Sequence, residues 1–74
     1  MNPTTDLALR GEHITLEALL KASRLAVGGD ARRLIADAAV SVNGQTETRR
    51  GRKLRVGDQV VLGAVQVRVV AGPG

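Results

Sequence analysis

The spacing of the apolar residues changes near Val40. Between Leu16 and that point, apolar residues recur three and four positions apart, which is the spacing of one face of an α-helix. After it, they alternate with polar residues, as in a half-buried β-strand. The 74 residues leave room for one domain. We therefore predict an α+β fold with two short helices, arranged as a helix–turn–helix and packed on a small, mostly antiparallel sheet.

Two helices are predicted before Val40. Thr15 is well suited to cap the first, which we expect over residues 16 to about 24, because its hydroxyl can accept a free amide of the first turn. The glycine pair at residues 28–29 breaks the helical pattern. Asp30 can cap the second helix. Its apolar face is expected to contain Ala31, Leu34, Ile35 and Ala38.

Alternation and turn residues predict the strands. Asn43-Gly44 is a strong hairpin signal, and Gly57 and Gly63 mark two further turns. Leu54 and Val56 are expected to anchor the intervening segment in the core. The predicted strands are residues 7–10 at an edge, 40–42, 45–48, 59–62 and 65–70. Residues 1–6 and 72–74 are expected to be disordered, which leaves residues 7–71 as the domain.

The composition excludes several classes of protein. Without cysteine there is no disulfide framework and no thiolate metal site, and one histidine cannot form a histidine-based site. No apolar run approaches the roughly 18 residues of a membrane span. No signal peptide is recognisable, so we expect a cytoplasmic protein. Phe, Tyr and Trp are absent, so the core must be aliphatic and unpaired bases have no ring on which to stack.

The positive charge is concentrated in the middle of the chain. Nine of the eleven Lys and Arg residues lie between Lys21 and Arg55, and the formal net charge is +4. Five cations fall within seven residues that contain no acid: Arg49, Arg50, Arg52, Lys53 and Arg55. Such a cluster attracts polyanions. Nucleic-acid binding, simple solubility and attraction to an anionic membrane surface all remain open from this cluster alone.

A second group of candidate residues surrounds the predicted turn between the helices. Gly28 and Gly29 would let a phosphate approach the backbone, and the following helix start offers free N–H groups. Arg32 and Arg33 lie in the first helical turn, where the helix dipole disfavours cations. An ordinary turn with solvated arginines is the alternative. Lys21 and Arg24 on the first helix read as a solvated face unless the fold places them beside the other clusters.

No enzyme constellation is visible. Ser23 and Ser41 have no His or Lys partner at a recognisable spacing, and His13 reads as a surface residue. The carboxylates show no metal-loop or paired spacing, and capping of turns and helix starts accounts for most of them. We therefore expect no catalytic residue, no metal and no cofactor.

The order of these parts resembles the S4 RNA-binding domain, also called the alpha-L RNA-binding motif, and in particular its small standalone bacterial YbcJ-type members. The resemblance covers roughly residues 7 to 70. It is carried by ITLEALLK at residues 14–21, GGDARRLIA at 28–36, VSVNGQTETRRGRKL at 40–54 and VGDQV at 56–60. It implies a fold of two helices followed by a small sheet, with one positive face that grips structured RNA and no catalytic domain attached.

Some site residues follow from the resemblance position by position. Gly28, Gly29, Arg32 and Arg33 match the family's Gly-Gly-x-Ala-Lys helix start. The family's basic stretch after the hairpin is matched by Arg49, Arg50 and Lys53.

Two positions depart from the family pattern. Val27 stands where the family usually has Ser, which puts a hydroxyl contact to phosphate in doubt. Ala38 stands where the family usually has a helix-ending Gly. Since a left-handed cap is costly for Ala, we expect this helix end to be reshaped.

The leading hypothesis is a non-enzymatic, monomeric RNA-binding protein that holds the phosphates of structured RNA, such as ribosomal RNA or tRNA, and associates with ribosomes. The alternative is a protein-interaction adaptor that exposes an edge of the valine-rich strand at residues 65–70. The predicted RNA-binding residues are Lys21, Arg24, Gly28, Gly29, Arg32, Arg33, Arg49, Arg50, Arg52, Lys53 and Arg55.

Overall fold

Two short helices and seven strands make up the part of the chain that the structure describes. The structure is a computed structural model, and it describes residues 4–26 and 29–72. The predicted α+β class is confirmed. In chain order the elements are β1 (Thr4–Leu9), β2 (Ile14–Thr15), α1 (Leu16–Ala22), α2 (Asp30–Ala36), β3 (Val40–Val42), β4 (Gln45–Thr46), β5 (Lys53–Leu54), β6 (Gln59–Leu62) and β7 (Val65–Ala71).

Five of the strands form one mixed sheet in the order β1-β7-β6-β3-β4. All neighbours are antiparallel except β1 and β7, which run parallel. Strands β2 and β5 form a separate antiparallel pair. Because side chains alternate along a strand, one face of the large sheet collects the buried valines. These are Val40, Val42, Val60, Val67 and Val69.

The helices supply the other half of the core. Leu16, Leu19 and Leu20 of α1 are completely buried, and Ala31 and Ile35 of α2 are buried with them. All the buried apolar residues in the described ranges belong to one cluster. The core is therefore aliphatic, as the absence of aromatic residues required.

Helix α1 begins and ends through hydrogen bonds of its own. The Thr15 hydroxyl accepts the amide of Ala18 at 3.2 Å, which confirms the predicted N-cap. At the other end, Arg24 has a φ of 62° and its amide donates to the Lys21 carbonyl, while the Leu25 amide donates to the Leu20 carbonyl. This pair of bonds is a Schellman motif with arginine in the left-handed position.

Helix α2 differs from the prediction at both ends. Gly29, not Asp30, occupies the N-cap, and Asp30 is the first helical residue, where its negative charge suits the helix dipole. At the C-terminus, Ala38 takes a φ of 61°, and the Ala38 and Ala39 amides donate to the carbonyls of Ile35 and Leu34. The expected reshaping is wrong, because alanine adopts the left-handed cap that glycine usually provides.

The predicted disorder at the N-terminus does not hold for residues 4–6. They form the first half of β1, with Thr4 opposite Gln66 and Asp6 opposite Arg68. This pairing joins residues 62 positions apart, and nothing in the local sequence reveals it. Residues 1–3 and 73–74 lie outside the described residues.

The valine-rich strand has no free edge. Strand β7 lies between β1 and β6, so both of its edges are already hydrogen-bonded, and the sheet ends at β1 and β4 instead. The adaptor hypothesis, which required an exposed β7 edge, is therefore wrong in that form. The strand predicted over residues 45–48 is also shorter, with only Gln45–Thr46 paired.

One of the two predicted core anchors is wrong. Leu54 is completely buried, but the side chain of Val56 is exposed, at 55%. Val56 belongs to the turn that contains Gly57, whose φ is 99° and whose amide donates to the Val69 carbonyl. The turn interrupts the strand alternation, so Val56 does not follow Leu54 into the core.

Candidate nucleic-acid interface

The basic segment, residues 49–55, is held against the start of α1. Strand β5 pairs with β2, so that Lys53 lies opposite Thr15 and Leu54 opposite Ile14. The Leu54 side chain is buried, whereas Lys53 and Arg55 on either side of it are exposed. Because neighbouring side chains point to opposite faces, burying Leu54 turns these two cations toward solvent.

Backbone hydrogen bonds fix the rest of the basic segment to the same helix end. The first amides of an α-helix lack partners within the helix. In α1, the Leu16 amide donates to the Arg52 carbonyl at 2.9 Å, and the Glu17 amide donates to the Arg50 carbonyl at 3.1 Å. The start of α1 thus binds the basic segment through its own backbone.

Glu17 also connects the two helices. Its carboxylate accepts a hydrogen bond from Lys21 Nζ at 3.2 Å within α1 and from Arg32 Nε at 3.0 Å in α2. The bond from Arg32, followed by that from Lys21, lowers the pKa of Glu17. Since the Glu17 amide also donates to the Arg50 carbonyl, cations from α1 and α2 and the backbone of the basic segment meet around one residue.

A second carboxylate, Glu47, lies beneath the basic segment. Its Oε2 accepts the amide and the Nε of Arg49, both at 3.2 Å, and its Oε1 accepts Arg52 Nη1 at 2.8 Å. Glu47 is only 7% exposed. The side-chain bonds from Arg49 and Arg52 lower the pKa of Glu47 to about 2, so the carboxylate is ionised at neutral pH.

An open depression of about 390 Å³ lies on the basic segment. Arg49, Gly51, Arg52 and Lys53 line it. Three of its four lining residues are cations, and two of those are the arginines bound to Glu47.

The remaining predicted site residues are less closely connected. Within residues 4–26 and 29–72, Arg24, Arg33, Arg50, Lys53 and Arg55 form no ion pair, and all five are exposed. No hydrogen bond in those ranges joins the Arg24, Arg33 or Arg55 side chains to the other cations. Gly29 is exposed at the N-cap of α2. Gly28 and Val27 lie outside the described residues.

Sequence reasoning missed the roles of Glu17 and Glu47. It assigned acidic residues of this kind to helix and turn capping, a role that Asp58 does have, because it accepts the Arg55 amide and the Asn43 side-chain amide. The spacing of Arg49 and Arg52 at two and five positions after Glu47 is the local signal that was available. The bond from Arg32 to Glu17 had none, because it joins residues 15 positions apart.

The described part of the chain has neither a cluster of metal ligands nor a membrane-spanning helix. Its residues include no group of three or more His, Cys, Asp or Glu side chains placed to hold a metal ion. None of its helices has the length and apolar character needed to cross a membrane.

Comparison with known proteins identifies the family. The sequence model of the S4 domain matches residues 7–70, which is most of the 74-residue chain. No curated protein matches the chain. The S4 domain family is associated with RNA binding. The match and the two-helix, mixed-sheet fold agree, and the chain belongs to the S4 domain family.

Proposed function

We propose that this protein is a non-enzymatic RNA-binding module that grips the phosphates of structured RNA. The observation that carries this proposal is the meeting of α1, α2 and the basic segment around Glu17. We define the basic face as six cationic residues. Each of them contacts Glu17 or Glu47 through its side chain or backbone, or lines the depression: Lys21, Arg32, Arg49, Arg50, Arg52 and Lys53.

The two carboxylates reduce the charge of the basic face without hiding its cations. Six cations and two carboxylates leave a local charge of +4. The paired side chains stay accessible, with Arg49 74% and Arg32 60% exposed. Each guanidinium has five N–H donors, so a phosphate can bind the donors that these ion pairs leave free.

The chemistry of these side chains favours phosphate over bases. A guanidinium presents five N–H donors in a fork that matches two oxygens of one phosphate. The chain has no aromatic residue on which an unpaired base could stack. Folded RNA, recognised by the spacing of its phosphates, is therefore the favoured ligand, and ribosomal RNA and tRNA are the two abundant examples.

The other parts of the proposal follow the same residues. We propose that the exposed cations Arg24, Arg33 and Arg55 also contact the RNA, and the glycines at residues 28–29 remain predicted backbone contacts. We propose a monomer that acts in the cytoplasm beside ribosomes, without a cofactor. No catalytic group is required for any of these roles.

Replacing two cations of the basic face tests the proposal. We expect Arg49→Ala combined with Arg50→Ala to weaken binding of a ribosomal RNA hairpin by roughly tenfold or more, because each charge-assisted hydrogen bond contributes about 1.5–3 kcal/mol and 1.4 kcal/mol is a factor of ten. Mobility-shift or filter-binding assays measure this, and thermal unfolding checks that the variant folds.

Arg68→Ala is the matched control. Arg68 lies between the buried Val67 and Val69 of β7, so its side chain is on the sheet face away from the helices, where it pairs with Asp6. We expect its RNA affinity to stay within about twofold of wild type, consistent with the small contribution of exposed pairs. Equal affinities for the double variant and the control would refute the proposed surface.

A further inference from the structure

Glu47 is unusual among the charged residues that the structure describes, because it is the one that is buried. A carboxylate beneath a basic surface opposes the binding of any anion there, so a role in attracting RNA cannot explain it. Its contacts indicate a different role. Both of its oxygens accept hydrogen bonds from arginines of the basic segment, and one of them also accepts the Arg49 backbone amide.

These contacts hold the two guanidiniums by one side only. Arg49 uses its Nε–H and Arg52 uses one Nη1–H. A guanidinium has five donors, so four N–H groups of each arginine remain available. No other hydrogen bond to residues 4–26 or 29–72 occupies them. Glu47 therefore fixes where the two forks lie and leaves most of their donors for a ligand.

The free donors belong to residues that line the depression. Arg49, Arg52 and Lys53 surround it together with Gly51, and an added Cβ at Gly51 would meet no atom within 4 Å. Open space therefore adjoins the Gly51 backbone. Three cations and the Glu47 carboxylate give this place a charge of +2, which suits a phosphate group carrying one or two negative charges.

We propose that the depression is a binding site for a single phosphate group, and that Glu47 is the positioning residue that holds Arg49 and Arg52 ready for it. The inference rests on the proposed function, since it assigns one phosphate of the RNA to one place on the basic face. Fixing the two side chains before binding removes the loss of rotamer freedom that would otherwise oppose association.

Net charge and positioning predict opposite effects for Glu47→Gln. If charge alone mattered, removing the carboxylate would strengthen anion binding. Positioning predicts that the RNA hairpin binds about three- to tenfold more weakly. Asp6→Asn is the matched control, because it removes the same charge from a carboxylate that pairs with Arg68 on the other face of the sheet, outside the basic face. We expect Asp6→Asn to bind as tightly as wild type or slightly more tightly.

Inorganic phosphate is the probe that locates the site. In NMR titrations of the full chain, we expect phosphate to shift the Nε–H signals of Arg49 and Arg52 and the backbone amides of residues 49–53. In Glu47→Gln these Nε–H signals should broaden in the free protein, because the side chains are no longer fixed, while the amide signals of β6 and β7 stay in place. Glu47→Asp, which keeps the carboxylate, should retain part of the effect.

The phosphate of an RNA has two sources, an internal phosphodiester and a terminal monoester. Hairpins with and without a 5′-phosphate distinguish them, and loss of the Glu47→Gln effect on removal of the terminal group assigns the site to a monoester. If Glu47→Gln does not fold, Arg49→Lys replaces it, since lysine keeps the charge and lacks the fork. We expect it to bind the hairpin about three- to tenfold more weakly.

These experiments distinguish failure of the phosphate site from failure of the proposed RNA-binding function. If wild type does not bind the hairpin, the proposed function fails. If wild type binds, but Glu47→Gln matches Asp6→Asn or phosphate shifts signals only outside residues 49–53, the positioned site fails and the RNA-binding function stands.

Discussion

Three described residues other than glycine have positive φ values, and the sequence predicted only one of them. Asn43, with a φ of 52°, precedes Gly44 in the hairpin that the Asn-Gly pair indicated. Arg24 and Ala38 end the two helices, at 62° and 61°. Their residue types do not favour this conformation. The surrounding packing and the pair of Schellman hydrogen bonds at each helix end must therefore impose it.

Ala38→Gly should stabilise the protein. The left-handed conformation costs a non-glycine residue roughly 1–2 kcal/mol, and the greater freedom of glycine in the unfolded chain offsets part of that gain. We expect a net stabilisation of about 0.5–1 kcal/mol, measured by urea or thermal unfolding. In a domain of this size 1 kcal/mol raises Tm by roughly 4–8 °C.

Ala18→Gly is the control for this change. Ala18 is exposed within α1, where glycine is about 1 kcal/mol less favourable than alanine. The same substitution should therefore lower the stability there. If both variants lose stability, the left-handed cap at Ala38 is not strained.

The low pKa of Glu47 predicts how stability depends on pH. Its carboxyl has a pKa of about 2 in the folded protein against 4.5 in the unfolded chain, so the unfolded state takes up a proton first as the pH falls. The contribution of Glu47 is complete above pH 4.5 and is lost progressively as the pH falls toward 2. We expect the difference in the free energy of unfolding between wild type and Glu47→Gln to become smaller as the pH falls through this window. A difference that does not change with pH would contradict this assignment.

The short pair of β2 and β5 determines where the basic segment lies. The sequence indicated that Leu54 is an anchor, because an apolar residue among five cations has few other roles. It also indicated Val56, which is exposed, since period-two reasoning fails where a turn intervenes. The backbone bonds from α1 to Arg50 and Arg52 could not be predicted, because helix ends find such partners only in the folded chain.

Leu54→Ala and Val56→Ala form a matched pair for this arrangement. Leu54 is fully buried, so its truncation should cost about 2–4 kcal/mol. Val56 is exposed, and its truncation should change stability by no more than about 0.5 kcal/mol. Denaturant unfolding of the two variants measures both values. Similar losses would mean that the segment is not anchored through Leu54.

At the scale of the whole molecule, the sequence predicted where the charged residues cluster along the chain better than it predicted how they are arranged in space. The clusters, the two helices and most strands follow from local spacing. The partners of the cations do not, because Glu17 reaches Arg32 only when α1 packs against α2, and Asp6 reaches Arg68 only when β1 joins β7. Long-range contacts of this kind leave no periodic trace in the sequence.

The salt dependence of RNA affinity tests most directly whether these cations act as one surface for phosphates. Neutralising four to six phosphates releases counterions, so the logarithm of the affinity should fall with the logarithm of the salt concentration at a slope of roughly −3 to −5. The measurement is a series of hairpin-binding titrations at increasing salt with the wild-type chain, repeated with Arg49→Ala/Arg50→Ala. We predict a slope in this range for wild type and a shallower one for the variant; a flat dependence for wild type would contradict an interface built on phosphate contacts.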